Sequence, residues 1–147
     1  MAEKKYKMTE ETINVMGRTL HRIEALKDFG AVKKGDKGGF VENESNLHQE
    51  DNCWVYDDAM VFGKAKVCMD AEVHGYAGVC DNAFVCDNAI ICDNAMVFGK
   101  AKVQDDADVR NNAKVCGEAI VRDNAIICDN VIVRDNAVVQ DNTKVCG

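Results

Sequence analysis

Few residues in this 147-residue chain combine a reactive type with a spacing that could do chemistry. His74 follows Glu72 by two positions, which sets an imidazole and a carboxylate on one face of an extended strand. Lys33, Lys34 and Lys37 crowd a glycine-containing loop, and with Arg18 and Arg22 upstream they make a basic set suited to a small anionic ligand. Asp70, Asp87, Asp105, Asp123 and Asp141 recur as a column of carboxylates that could imitate nucleic-acid phosphates or hold a divalent cation, although Asp-Asn is also a plain way to make a turn. The eight cysteines include no CxxC pair and are read as reduced thiols. No four of them converge as metal ligands, so no metal is expected.

The loop sequence Lys34-Gly35-Asp36-Lys37-Gly38-Gly39 lacks the GxxxxGK[ST] spacing of a phosphate loop and is read as a flexible turn. Charge divides the chain. Residues 1–40 hold nine Lys/Arg against six Asp/Glu, a balance of +3, and residues 41–147 hold nine against nineteen, a balance of −10. A net charge of −7 argues against direct nucleic-acid binding by the whole protein. No apolar run reaches the ~20 residues of a membrane span, and Met1-Ala2-Glu3-Lys4-Lys5 leads into no apolar signal segment, so a cytoplasmic protein with no membrane association is expected.

The element that must position these groups is a repeat. From Val55 to Val145 a Val or Ile recurs at every sixth residue, giving fifteen complete hexads. Ala fills the fifth position except at Val131 and Thr143, and Asp-Asn fills the third and fourth seven times. A six-residue period of aliphatic, turn pair and small residue predicts a parallel β-helix. The aliphatic and the Ala point inward, the flanking residues point outward, and the turn pair adopts left-handed backbone angles. Three hexads close one triangular coil of eighteen residues, and coils stack ~4.8 Å apart. The hexad pattern also fits Val41–Asn46, after which Leu47–Trp54 carries two extra residues.

Residues 1–54 are expected to form a small β-rich cap and junction on the helix of residues 55–147. Tyr6-Lys7-Met8 and Thr12–Val15 read as strands, Met16-Gly17 as a turn, and Thr19–Leu26 as the returning strand, with a short helix over Leu20–Leu26 as the alternative. Sorted by coil, one outer face carries Met60, Phe62, Cys80, Met96, Phe98, Cys116 and Ile132, an apolar strip expected to bury itself in a homo-oligomer, trimer or dimer. The chain stopping at Gly147 without a covering element points the same way. Cys68/Cys86 and Cys128/Cys146 fall one coil apart, close enough to permit cross-links.

The repeat resembles the hexapeptide-repeat family of left-handed parallel β-helices over about two thirds of the chain, although the position after the aliphatic holds Cys, Arg, Phe, Gln, Tyr or His where the family often has Gly. Gly38-Gly39-Phe40-Val41-Glu42 and Asn52-Cys53-Trp54-Val55-Tyr56 look like uncharacterised phage and prophage proteins labelled as acyltransferases. The resemblance implies the left hand of the helix. It also implies a candidate activity, acyl transfer from acyl-coenzyme A with His74 as general base beside Glu72. No loop interrupts the hexads to build a substrate pocket, and fold does not fix chemistry. The preferred expectation is therefore a non-catalytic binding protein without a cofactor, phage-encoded and acting in the host cytoplasm, that sequesters a host protein or a small anionic ligand. Acyl transfer is the alternative, and a purely structural spacer the third reading.

Overall fold

A computed structural model describes residues 4–147; Met1–Glu3, part of the leader reading above, lie outside the described residues. The chain is all-β, a parallel β-solenoid of about six turns with a β-rich amino-terminal region. Every hexad contributes one two-residue strand ending on the predicted Val or Ile, and each strand pairs in parallel with the strand eighteen residues away. Three sheets result. The first face runs from Met60–Val61 to Ile132–Val133, the second from Lys66–Val67 to Val138–Val139, and the third from Trp54–Val55 to Lys144–Val145.

The core is a column of aliphatics and alanines. Val61, Val73, Ile91, Val109 and Ile127 are fully buried, as are Ala65, Ala89, Ala107 and Ala125. The third residue of every hexad has positive φ, between 55° at Asp57 and 68° at Gly63 and Gly99, so the turn pair was read correctly from composition. Asp, Asn and Gly tolerate this conformation, whereas Met69 occupies it at φ 58° without that advantage. Among the described residues no helix is long and apolar enough to cross a membrane.

The amino-terminal region forms the expected hairpin. β1 (Tyr6–Val15) pairs antiparallel with β2 (Arg18–Ala25) across Met16-Gly17, both with positive φ, and the register shifts between Met8 and Thr12. Leu20–Ala25 is thus strand and not the alternative helix. β3 (Lys37–Val41) pairs antiparallel with β2 and parallel with Met60–Val61, so the hairpin extends the sheet of the first face. Gly38 and Gly39 lie inside β3, where the sequence suggested a flexible turn. A Cβ on Gly39 would stand 2.3 Å from the Ala59 carbonyl oxygen, and one on Gly38 would stand 2.4 Å from that of Val55. Glycine is there because two backbones meet, not because the chain bends.

The extra residues of Leu47–Trp54 are confirmed by register: Leu47 bridges Val67, twenty residues on, whereas Val55 pairs with Val73, eighteen on. The open end of the column is plugged. Trp54 is turned under Tyr6 and Phe29, with ring centroids 6.1 and 5.2 Å away, and is 1% exposed. Carbonyls that have no preceding coil find side chains instead. The buried Lys5 ammonium donates to the carbonyls of Cys53 at 2.8 Å, Asp51 at 3.2 Å and Glu50 at 3.3 Å, and the Tyr6 hydroxyl donates to that of Leu47 at 2.6 Å. These buried acceptors are satisfied by reaching across more than forty residues of sequence.

Candidate functional site

The hairpin does more than extend a sheet. Leu20 packs with Phe40, Phe62 and Cys80, and Ile13 and Val15 lean on the same cluster, so the hairpin folds over the outside of the first face. Phe62 and Cys80 are consequently 5% and 8% exposed within a single chain. The strip expected to bury itself in an oligomer is therefore half covered by the chain's own amino-terminal region. Met60, Met96, Phe98 and Cys116 are partly exposed below it, and Ile132 is open to solvent at 55%.

Where the hairpin tip meets the coils it leaves a cleft of about 380 Å³, lined by Met16, Arg18, Phe62, Cys80, Met96, Phe98 and Lys114. A second cleft of about 620 Å³ shares Arg18, Gly63 and Asp81 with the first and continues over the adjoining corner past Lys64, Asn82, Gly99 and Lys100. The acidic groups there are engaged. Glu42 pairs with Arg18 at 3.0 Å and accepts the Gly63 amide at 2.9 Å, and Asp81 accepts the Gly99 amide at 3.0 Å. Among the described residues Lys64, Lys100 and Lys114 make no ion pair. An apolar slot bordered by unpaired ammonium groups results, on a protein whose net charge is −7.

The basic set singled out in the sequence does not assemble. Arg18 borders the groove, but Arg22 is consumed in holding the hairpin down. Its guanidinium donates to Glu11 at 2.8 Å, to the Gly38 carbonyl at 2.7 Å and to Asp58 at 2.9 Å, and it lies 4.2 Å over the Phe40 ring. Lys37 faces a cleft with Glu10, Glu11 and Glu24 at the other end of the hairpin, and Lys33 and Lys34 sit exposed on the loop, whose backbone is tied to Asp36 and Asp28. Lys64, Lys100 and Lys114 were missed because each is an isolated lysine in a hexad. Only stacking plus the fold-back of the hairpin brings them near Arg18.

His74 and Glu72 are paired. The Nε2 atom stands 2.7 Å from a Glu72 carboxylate oxygen, and the imidazole is stacked on Tyr56 with centroids 4.2 Å apart and planes 4° from parallel. An ionised carboxylate only accepts, so Glu72 holds the proton on Nε2 and leaves Nδ1 as the basic nitrogen. Both side chains are about one third exposed. Cys92 follows His74 one coil on, but burial first and then Asp93 and Asp108 push its thiol up, with Arg110 opposing, so it is a poor nucleophile. The pair lies on the third face, whereas the groove lies on the first face and its adjoining corner.

The acidic ladder has a structural use. The Asp105 amide donates to the Asp87 carboxylate at 3.1 Å, Asp123 to Asp105 at 3.0 Å, and Asp141 to Asp123 at 3.0 Å. Asp70 does not belong to this column: it occupies the second turn position and accepts from the Asn52 amide at 3.3 Å, while Met69 stands where the ladder would have its first carboxylate. Replacing Asp105 by Ala should cost about 1–2 kcal/mol, the sum of one lost acceptor and a left-handed Ala, whereas Asp105→Gly should be milder because it removes the backbone strain. Urea midpoints of the two variants check this; equal losses would contradict it.

Cys128 and Cys146 are joined in a disulfide with Cα atoms 4.8 Å apart, which corrects the reading of all eight cysteines as thiols. The other six are free. Burial raises Cys80 from 9.0 to about 11 and, with Asp87, Cys86 to about 12. Thiols held protonated in the fold but ionised in the unfolded chain stabilise the native state below pH 9.0 and lose that contribution as pH rises through their folded values. Burial also raises the Cys53 thiol and the Tyr6 phenol, whereas Lys5, lowered by burial, acts in the opposite sense. Stability should therefore fall steadily between about pH 9 and pH 12. Urea unfolding across that range would show a flat or rising midpoint if this linkage were wrong.

No protein-family model matches the chain. It is similar to the uncharacterized acetyltransferase YdcK of Escherichia coli (strain K12), with 46% identity over 37 residues. That stretch is 25% of this chain and 11% of the length of that protein.

Proposed function

We propose that this chain is a binding protein without catalytic duty, and that its ligand is an elongated amphipathic anion lying in the groove between hairpin and coils. The groove itself carries the reading. Phe62, Met96 and Phe98 offer an apolar wall, and Arg18, Lys64, Lys100 and Lys114 border it. An apolar tail on the wall and an anionic head among the ammonium groups would use both features, and neither a purely apolar nor a purely charged ligand would. In the phage setting that the sequence resemblance suggests, such a protein sequesters a host metabolite. The partly exposed Cys116 and the exposed Ile132, beyond the groove on the same face, are then part of the surface through which copies associate. Native mass spectrometry of protein purified from its host tests this directly. An amphipathic anion retained per chain is expected, and a protein that carries none while consuming acyl-coenzyme A would overturn it.

A second reading rests on a different observation. The Glu72–His74 pair has the geometry of an oriented general base, and the partial likeness to an acetyltransferase gives it a reaction. On this reading a neighbouring chain completes a site on the third face. His74→Ala should then abolish acyl-coenzyme A turnover that the unaltered protein performs; turnover unchanged by the substitution would remove His74 from any mechanism.

A further inference from the structure

The disulfide between Cys128 and Cys146 marks a place where three metal-binding donors converge. One donor atom from each of Cys128, Asp129 and Cys146 lies within 4.8 Å of the others. The corner carboxylates explain why Asp129 joins the thiols. Where an Asp at the first turn position accepts a backbone amide from the stack, the donor lies one coil ahead, as with Asp93 and Asn111 or Asp123 and Asp141. Asp129 stands at such a corner, exposed, with a carboxylate oxygen within 4.8 Å of the sulfur of Cys146 in the coil ahead. The other stacked pair, Cys68 and Cys86, lacks this convergence. Met69, not a carboxylate, follows its first thiol, and Asp87, which follows Cys86, is engaged ahead with the Asp105 amide.

We infer that the reduced Cys128/Cys146 pair and Asp129 bind one thiophilic divalent cation of the zinc class, and that the disulfide closes this site. A dithiol reductant supplies two electrons and two protons, the S–S bond breaks, two thiols form, and the reductant becomes the disulfide. The cation then displaces both thiol protons into solvent, forming two metal–sulfur bonds and one metal–oxygen bond, with water in the fourth position. Two sulfurs on one tetrahedral zinc stand roughly 4 Å apart at bonds of ~2.3 Å, a separation that neighbouring strands can supply. Oxidation and metal binding exclude one another because the same sulfurs serve both.

The full chain, reduced with a phosphine under nitrogen and freed of reductant, is titrated with Zn(II) against a chromogenic chelator. Co(II) is used in parallel, since its thiolate charge-transfer absorption reports sulfur ligation. One tightly held Zn(II) per reduced chain is expected, none for the oxidised chain, and loss of both zinc and the cobalt band in Cys146→Ser. Cys68→Ser should retain both. Asp129→Asn should weaken binding by more than the ~10-fold typical of an outer-shell partner. Circular dichroism confirms that each variant keeps its fold. Absence of zinc binding by the reduced wild-type chain, or binding unchanged in Cys146→Ser, would overturn the inference.

Discussion

Gly39→Ala should lower the stability of the protein by about 3 kcal/mol or more, the upper end of the cost of overpacking, because its clash is with backbone. The new methyl would stand 2.3 Å from the Ala59 carbonyl oxygen and 2.7 Å from Cγ1 of Val55. The oxygen cannot retreat, since it accepts the Phe40 amide at 2.9 Å in the parallel pairing that joins β3 to the first full coil. Relief requires β3 to lift away, and β3 carries the hairpin that covers Phe62 and forms one wall of the groove. Thermal unfolding followed by circular dichroism should show a drop of about 10 °C. Gly35→Ala is the control. Gly35 has φ 94° but nothing within 4 Å of the added carbon, so its cost should stay near 1 kcal/mol. Equal effects at the two sites would mean that close approach is not what selects Gly39.

Ala107→Leu should be nearly as costly, again about 3 kcal/mol, for a reason set by stacking. Ala107 is fully buried, with Ala89 and Ala125 in the same interior column one coil to either side. Coils held at ~4.8 Å by main-chain hydrogen bonds cannot spread locally to admit three more carbons. The same change at Ala137, which is exposed in the last coil, should cost under ~0.5 kcal/mol. The sequence has already made this experiment: its two departures from Ala, the partly buried Val131 and the exposed Thr143, both fall in that coil. Urea unfolding of the two leucine variants measures the difference, and a costly Ala137→Leu would contradict the gradient.

The solenoid was legible because its rules are local. Val or Ile, turn pair and Ala recur at fixed spacing, and the register observed between Glu72 and Ile90 or Met96 and Lys114 follows from counting eighteen. The hairpin was legible for the same reason, from Met16-Gly17 between two apolar stretches. What counting could not show is which outer surfaces the chain covers itself. Trp54 and Phe62 stand at outward positions of their hexads, yet both are buried by residues tens of positions earlier. Ile13 and Val15 lie two apart on one strand, but their packing on the first face follows only from where the hairpin folds. Gly38-Gly39 was misread because glycine marks a turn and a close approach alike. Asp70 was misplaced by one position because Met69, a residue poorly suited to positive φ, holds the corner. The Glu72–His74 pair was found from spacing alone, whereas the groove required knowing where the hairpin lies.

Binding of dodecanoate to the whole protein tests the central claim most directly, since its tail can cover the two coils, ~10 Å, between Phe62 and Phe98 and its carboxylate can reach the lysines. Displacement of a fluorescent amphipathic anion should report saturable binding by the wild-type chain. Affinity should fall about tenfold or more in Lys64→Ala/Lys100→Ala, the equivalent of ~1.4 kcal/mol, and remain unchanged in His74→Ala. No saturable binding by the wild type, or equal affinity in the double lysine variant, would contradict a ligand held in this groove.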